Sequence, residues 1–87
     1  MADWALVGYV VASKYRTGIM ISLREGPKRP ESMARELSVY MSHVSATLSQ
    51  LEAKGLVECL TPKLKKGRLY ALTQTGIDVA DQALKQK

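Results

Sequence analysis

The sequence predicts a mainly α-helical domain that carries one small β-hairpin. Apolar residues recur at helical spacing along most of the chain, whereas residues 56–60 and 68–72 follow the shorter period of strands. Glycine and proline mark several boundaries between these segments. The 87 residues are 46% hydrophobic and 24% charged, which is typical of a folded globular protein. We therefore expect one domain over residues 1–87.

Residues 4–23 carry the first helical pattern. Two apolar stripes run along this segment: Trp4, Val7 and Val11, followed by Tyr15, Ile19 and Leu23. Ser13 is a suitable N-cap for a helix that begins at Lys14, so one long helix and two helices separated at Ser13 both fit the pattern. The apolar run 4–12 is too short to span a bilayer and follows Asp3 instead of a basic segment. We expect no targeting signal and no membrane association.

Two shorter helices come next. Pro30 suits the first position of a helix, which is predicted over residues 30–37. A turn at residues 38–40 leads to a third helix over residues 41–54, and Gly55 ends it. The apolar stripe of the third helix is Val44, Leu48 and Leu51. Its opposite face is small, polar and almost uncharged, with Ser42, His43, Ser45, Thr47, Ser49 and Gln50.

A β-hairpin and a final helix complete the pattern. Strands 56–60 and 68–72 flank a loop at residues 61–67, in which Gly67 supplies a left-handed backbone position. Thr73 is a suitable N-cap for the last helix, whose apolar face is Ile77, Ala80 and Leu84.

The second and third of these helical segments form a helix-turn-helix, and the hairpin beside them has the position of a wing. The predicted fold is therefore a winged helix-turn-helix: three helices, a two-stranded wing and a C-terminal helix. With 13 Lys and Arg against 8 Asp and Glu, the net charge of +5 suggests an anionic partner. Four cations fall within six residues of the wing: Lys63, Lys65, Lys66 and Arg68.

The segment LSVYMSHVSATLSQLEAKGLVE, residues 37–58, resembles the helix-turn-helix block of ArsR- and MarR-type winged-helix regulators. The resemblance rests on Val44, Ser45, Leu48, Leu51, Glu52, Gly55, Leu56 and Val57. The segment KKGRLYALTQTG is similar to the wing and the start of the last helix in that family. The similarity extends over residues 4–80, and the opening segment and the wing look most like small archaeal members. It implies a cytoplasmic, nucleoid-associated transcriptional regulator, with the transcription machinery as a further partner.

A regulator of this kind would place the helix at 41–54 in the major groove of double-stranded DNA. The residues expected to face DNA are Tyr40, Met41, Ser42, His43, Ser45, Ala46, Thr47, Ser49 and Gln50. Gln50 can pair with adenine, and Ala46 and the Thr47 methyl can contact thymine methyl groups. No Arg or Lys occurs from residue 40 to residue 53. Because the commonest guanine contact is thereby missing, we expect modest direct readout.

The DNA backbone is expected to contact cations of the wing and its surroundings. The wing cations would lie on the backbone or in the minor groove, and the additional backbone contacts are Lys14, Arg16, Lys28 and Arg29. A structural role for Arg16 is an equally good interpretation. A homodimer is expected to form through the flanking segments 1–13 and 74–87, with the interface residues Trp4, Val7, Val11, Ile77 and Leu84. A position in the core is the other interpretation of Trp4, Val7 and Val11.

Catalytic and cofactor motifs are not evident in the sequence. It contains no Ser/His/Asp grouping and no phosphate-binding glycine loop, so we expect no enzyme and no cofactor. Cys59 is the single cysteine and His43 the single histidine, which argues against a metal site, including the paired-cysteine site of metal-sensing ArsR proteins. Two alternatives to a regulator remain open: a winged-helix protein-interaction module and a non-specific architectural DNA-binding protein.

Overall fold

The computed structural model describes residues 3–85 and confirms the predicted winged helix-turn-helix. Its elements in chain order are α1 (Trp4–Val11), α2 (Lys14–Leu23), α3 (Pro30–Leu37), α4 (Met41–Ala53), β1 (Val57–Cys59), β2 (Tyr70–Leu72) and α5 (Gln74–Lys85). In the part of the chain that the structure describes, no helix has the length and apolar character needed to cross a membrane.

The first helical segment is divided into two helices at Ser13. Ser13 has extended backbone angles, and its hydroxyl accepts a hydrogen bond from the Arg16 amide at 3.3 Å. The hydroxyl of Thr17 donates to the carbonyl of Val10 at 3.0 Å and ties the two helices together. The N-cap predicted at Ser13 is therefore confirmed, and the alternative of one long helix is excluded.

The helix-turn-helix has the predicted boundaries to within one residue. Pro30 occupies the first turn of α3, where a missing N–H costs no helical hydrogen bond. Ser38 ends α3 in the left-handed conformation, with φ of 56°. Gly55, with φ of 74°, follows α4 and lets the chain turn into β1.

The wing is a two-stranded antiparallel hairpin in which Val57 pairs with Leu72 and Cys59 with Tyr70. Both strands are shorter than predicted, although the Leu60 amide still donates to the Leu69 carbonyl at 2.7 Å. On the other side of β2, Lys28 and Tyr70 exchange two backbone hydrogen bonds, of 3.0 and 2.9 Å. The loop before α3 thus adds a short third partner to the wing sheet.

The last helix begins as predicted and packs very closely on the wing. The Thr73 hydroxyl accepts a hydrogen bond from the Gly76 amide at 3.0 Å and donates to the Gly55 carbonyl at 2.7 Å. A Cβ atom on Gly76 would lie only 1.9 Å from the Leu56 carbonyl oxygen. Only glycine therefore allows α5 to approach the segment that leads into β1.

The core lies between the five helices and beneath the wing. Its largest fully buried side chains are Ile19, Met20, Met33, Leu48, Leu51, Leu56, Val10, Val44, Val57 and Val79. Val7 is only 3% exposed, because α1 packs on α5 of its own chain. Of the two interpretations of Val7, the core position is therefore confirmed and the dimer interface is wrong. On α5, Ala80 of the predicted apolar face is buried, but Ile77 is exposed and Leu84 is half-buried. Val79 and Ala83 complete the buried face instead.

Candidate nucleic-acid interface

Helix α4 exposes one polar face along its length. Val44, Leu48 and Leu51 point into the core. The exposed side chains of α4 and its N-cap that the sequence assigns to DNA are Tyr40, Met41, Ser42, His43, Ser45, Ala46, Ser49 and Gln50. Tyr40 and Met41, at the helix start, are 77% and 43% exposed. The exposed face is neutral, polar at most positions and accessible over about three turns.

Thr47 does not belong to this face. Its side chain is buried, with 5% of its surface exposed. It lies three residues after Val44 and one before Leu48, and this spacing turns it toward the protein. The predicted contact between the Thr47 methyl and DNA is therefore wrong. The prediction relied on the polarity of threonine, which is also compatible with a buried position.

A groove separates α4 from the wing. It has a volume of about 430 Å³ and is lined on one side by Met41, Ser45 and Ser49 and on the other by residues 65–68 of the wing. The first residues of α3, Pro30 and Glu31, also line it. The structure thus brings the polar face of α4 and the cations of the wing to one side of the molecule.

The lysines of the wing are exposed to solvent, whereas its arginine makes a hydrogen bond within the wing. Lys63, Lys65 and Lys66 are exposed. Arg68 is exposed as well, but its Nε donates to the Leu64 carbonyl at 2.6 Å, which closes the loop of the wing. Arg29 lies beside this loop, since a Cβ on Gly67 would be 3.9 Å from Arg29 Nε. Arg29 therefore extends the basic surface of the wing.

Lys28 is not available for a DNA phosphate. Its Nζ donates to Glu36 at 2.7 Å, to the Ser22 hydroxyl at 2.9 Å and to Glu25, and only 17% of its side chain is exposed. Burial lowers the pKa of Lys28, but the hydrogen bonds and charges of Glu25 and Glu36 outweigh this effect and raise the pKa above its ordinary value. The backbone contact predicted for Lys28 is therefore wrong, because its charge is neutralised within the protein.

Arg16 also has an internal role, whereas Lys14 is exposed. Arg16 Nε donates to the Tyr9 carbonyl at 2.7 Å, and its guanidinium carbon lies 4.0 Å from the centre of the Tyr9 ring. One terminal nitrogen also donates to Gln50 Oε1 at 3.4 Å. Of the two interpretations of Arg16, these contacts favour the structural one, in which Arg16 joins α1, α2 and α4.

Tyr15 is a residue of this surface that the sequence does not assign to it. Its ring stacks on the His43 ring, with centroids 4.8 Å apart and planes 15° from parallel. The Tyr40 ring lies 6.0 Å from His43 on a tilted plane. The spacing of Tyr15 from Ile19 places it in an apolar stripe, and only the packing of α2 against α4 identifies its partner.

An apolar surface lies outside the groove between α4 and the wing. Trp4 is 61% exposed, and Val11 and Ile77 are 42% and 41% exposed, while Leu84 is half-buried. These are the remaining members of the predicted dimer interface, and they belong to α1 and α5.

Comparison with known proteins agrees with this geometry. A family model described as HxlR-like helix-turn-helix matches residues 10–86. The solved structures that match include BldR, a transcriptional regulator from Sulfolobus solfataricus, at 26% identity and a TM-score of 0.78 over 91% of this chain and 58% of that one. NMB1585, a MarR family regulator from Neisseria meningitidis, matches at 21% identity and a TM-score of 0.79 over 94% of this chain and 59% of that one.

ZitR from Lactococcus lactis is similar to a comparable degree, at 19% identity and a TM-score of 0.75 over 84% of this chain. The chain covers 51% of the ZitR structure, so it spans about half the length of this relative. No curated protein sequence matches the chain.

Proposed function

The chain belongs to the HxlR-like helix-turn-helix family, and we propose that it binds double-stranded DNA as a transcriptional regulator. In this proposal α4 enters the major groove, and the wing lies on the backbone or in the minor groove. The observation that carries the proposal is the position of the neutral polar face of α4 beside the exposed lysines of the wing, on one side of the molecule. The family supports the same function, and the protein has no enzymatic role in it.

Affinity and selectivity come from different parts of this surface. Lys63, Lys65 and Lys66, with Arg29 beside the wing and Lys14 at the start of α2, supply the charge that binds phosphates. The exposed residues of α4 read the base edges. Since α4 carries no Arg or Lys, base readout is modest and much of the affinity is electrostatic.

The same proposal includes a homodimer. Trp4 and Val11 on α1, with Ile77 and Leu84 on α5, supply an apolar surface that a second copy would cover. A two-fold dimer would place two α4 helices one turn of DNA apart. Analytical ultracentrifugation should detect the dimer and its loss in Trp4→Ser, and a wild-type monomer at high concentration would contradict it.

The finer identity of the regulator also belongs to the proposal. We place the protein at the nucleoid, next to the transcription machinery, and among small archaeal members of the class. The similarity to BldR from Sulfolobus solfataricus supports only the archaeal part of the last assignment, since this chain covers 58% of the BldR structure.

In vitro selection of duplexes by the purified protein tests the main proposal. We expect enrichment of a defined site, and a log–log slope of affinity against salt of about −4 to −8 for a dimer. A flat salt response, or a failure to bind any duplex, would contradict DNA binding. Uniform binding of all duplexes would instead indicate an architectural protein.

A protein-interaction module is the second candidate function. Tyr40 and Met41 are large, exposed side chains at the start of α4, and the helix that would read DNA carries no basic residue. Such a surface also suits a protein partner. Absence of DNA binding, together with retained folding, would favour this function.

A further inference from the structure

The start of α2 contacts the reading helix α4 at two points. Tyr15 contacts His43, and its neighbour Arg16 contacts Gln50. His43 and Gln50 are seven residues apart, so they lie two turns apart on the same side of α4. Both are exposed residues of the face assigned to DNA, and both are held by side chains that lie outside α3 and α4.

The contact at the first turn is an aromatic stack. The rings of Tyr15 and His43 are nearly parallel at 4.8 Å, and Tyr15 is half-buried in α2. A stacked imidazole keeps its plane fixed, and its two nitrogens lie on the edge of the ring, away from the tyrosine face. Tyr15 therefore restricts the direction in which His43 can offer a hydrogen bond.

The contact at the third turn fixes the orientation of an amide. Arg16 is anchored by the Tyr9 carbonyl at 2.7 Å and by the face of the Tyr9 ring. A guanidinium group has donors only, so it must face the oxygen of the Gln50 amide, as it does at 3.4 Å. With the oxygen turned toward Arg16, the amide nitrogen of Gln50 is on the side away from Arg16 and can donate to a ligand.

We propose that Tyr15 and Arg16 are positioning residues for base readout, and that Arg16 makes Gln50 a hydrogen-bond donor toward DNA. The inference rests on the proposed DNA binding of this face. A bidentate pair with adenine needs both an acceptor and a donor from glutamine. With its oxygen directed to Arg16, Gln50 instead selects a base edge that presents acceptors, such as N7 and O6 of guanine. In this proposal, a preference for guanine takes the place of the expected pairing of Gln50 with adenine.

The test compares selected DNA sites for variants that keep or remove each contact. Tyr15→Phe keeps the stack and Tyr15→Leu removes it, while His43→Ala removes the other ring. We expect Tyr15→Phe to select the wild-type site. Tyr15→Leu and His43→Ala should each lower the base preference at the same positions of the site by about threefold or more. The double variant should lower it little further than either single variant.

A second set of variants tests the arginine. Gln50→Glu keeps an acceptor for Arg16 but removes the free donor, so it should abolish the guanine preference. This exposed substitution leaves the core untouched, which keeps the test valid if Arg16→Met fails to fold. Arg16→Met should allow adenine as well as guanine at the position that Gln50 reads. Arg16→Lys keeps a donor at this position, so it should retain more of the guanine preference than Arg16→Met does.

The alternative outcomes are distinct from a failure of DNA binding itself. If Tyr15→Leu and Arg16→Met weaken binding to every duplex equally, with the selected site unchanged, both residues are merely structural and the inference is wrong. If the wild-type protein selects no site, the proposed function fails first. Thermal unfolding of each variant separates a loss of fold from a change in preference.

Discussion

Lys28 Nζ lies 2.7 Å from Glu36 Oε1 and thereby joins the base of the wing to the first helix of the helix-turn-helix. Through its backbone, Lys28 pairs with Tyr70 in β2, and through its side chain it contacts Glu36 in α3 and Ser22 in α2. One residue therefore links the wing to two of the helices. Since the groove between α4 and the wing depends on the position of the wing, Lys28 supports the DNA-facing surface without contacting DNA.

Replacing Lys28 with methionine should destabilise the protein. The substitution keeps much of the apolar stem but leaves Glu36 and the Ser22 hydroxyl without their charged partner. We expect the free energy of unfolding to fall by about 1 kcal/mol, because Glu36 and Glu25 are partly exposed and water can replace the lost partner. Urea unfolding measures the change. Lys63→Met, at an exposed position in the wing, is the matched control and should leave stability within about 0.5 kcal/mol of the wild type.

The same ion pair should produce a loss of stability in acid. The hydrogen bond from Lys28 lowers the pKa of Glu36 below its ordinary value of 4.5, although burial opposes the shift. A carboxyl group with a lowered pKa stabilises the fold above its ordinary pKa, and this contribution disappears as the pH falls through the pKa of the folded state. The pKa of Lys28 is raised above its ordinary value of 10.5. The ion pair therefore loses its contribution to stability in base only at pH values above 10.5.

Glu36→Gln isolates this effect. The wild type should be the more stable protein at pH 7, and the difference should shrink as the pH is lowered below 4.5. Urea unfolding at a series of pH values provides the measurement. If the two proteins differed in free energy of unfolding by the same amount at every acidic pH, the charge of Glu36 would contribute nothing to stability.

Local signals in the sequence were sufficient for most of the fold. Ser13, Pro30 and Gly55 act through the backbone of their own segment, so their roles as cap, first helical residue and helix end can be identified without tertiary contacts. The apolar stripe of α4 is also confirmed, since burial follows helical periodicity. These predictions need only propensity and spacing.

The site could be predicted only in part, because residue type does not determine a partner. The polarity of Thr47 and the charge of Lys28 suggest DNA contacts, yet Thr47 is buried and Lys28 binds the carboxylates of Glu25 and Glu36 in its own protein. The apolar side chain of Val7 fits the core and a dimer interface equally well, and only the packing of α5 of the same chain over Val7 excludes the interface. Each error concerns which surface a side chain meets, and that depends on how the helices pack.

Gly76 should be intolerant of any side chain. A Cβ at this position would lie 1.9 Å from the Leu56 carbonyl oxygen, and backbone cannot move aside as a flexible side chain can. We expect Gly76→Ala to lower the free energy of unfolding by about 3 kcal/mol or more. Gly8→Ala is the control, because nothing lies within 4 Å of its Cβ position. In α1 it should stabilise the protein by up to about 1 kcal/mol, and thermal unfolding of the two variants compares them directly.

The wing and the reading helix should respond differently to substitution. Lys65→Ala combined with Lys66→Ala removes two exposed charges and should weaken binding to all duplexes alike, with the salt slope reduced by about 2 for each protomer bound. Ser45→Ala alters an exposed residue of α4 that lines the groove, so it should change the selected sequence and leave the slope unchanged. Binding titrations over a range of salt concentrations, on selected and on random duplexes, measure both quantities. If the double lysine variant kept the wild-type slope, the wing would not contact phosphates, and the affinity would have to come from Lys14, Arg29 or other cations.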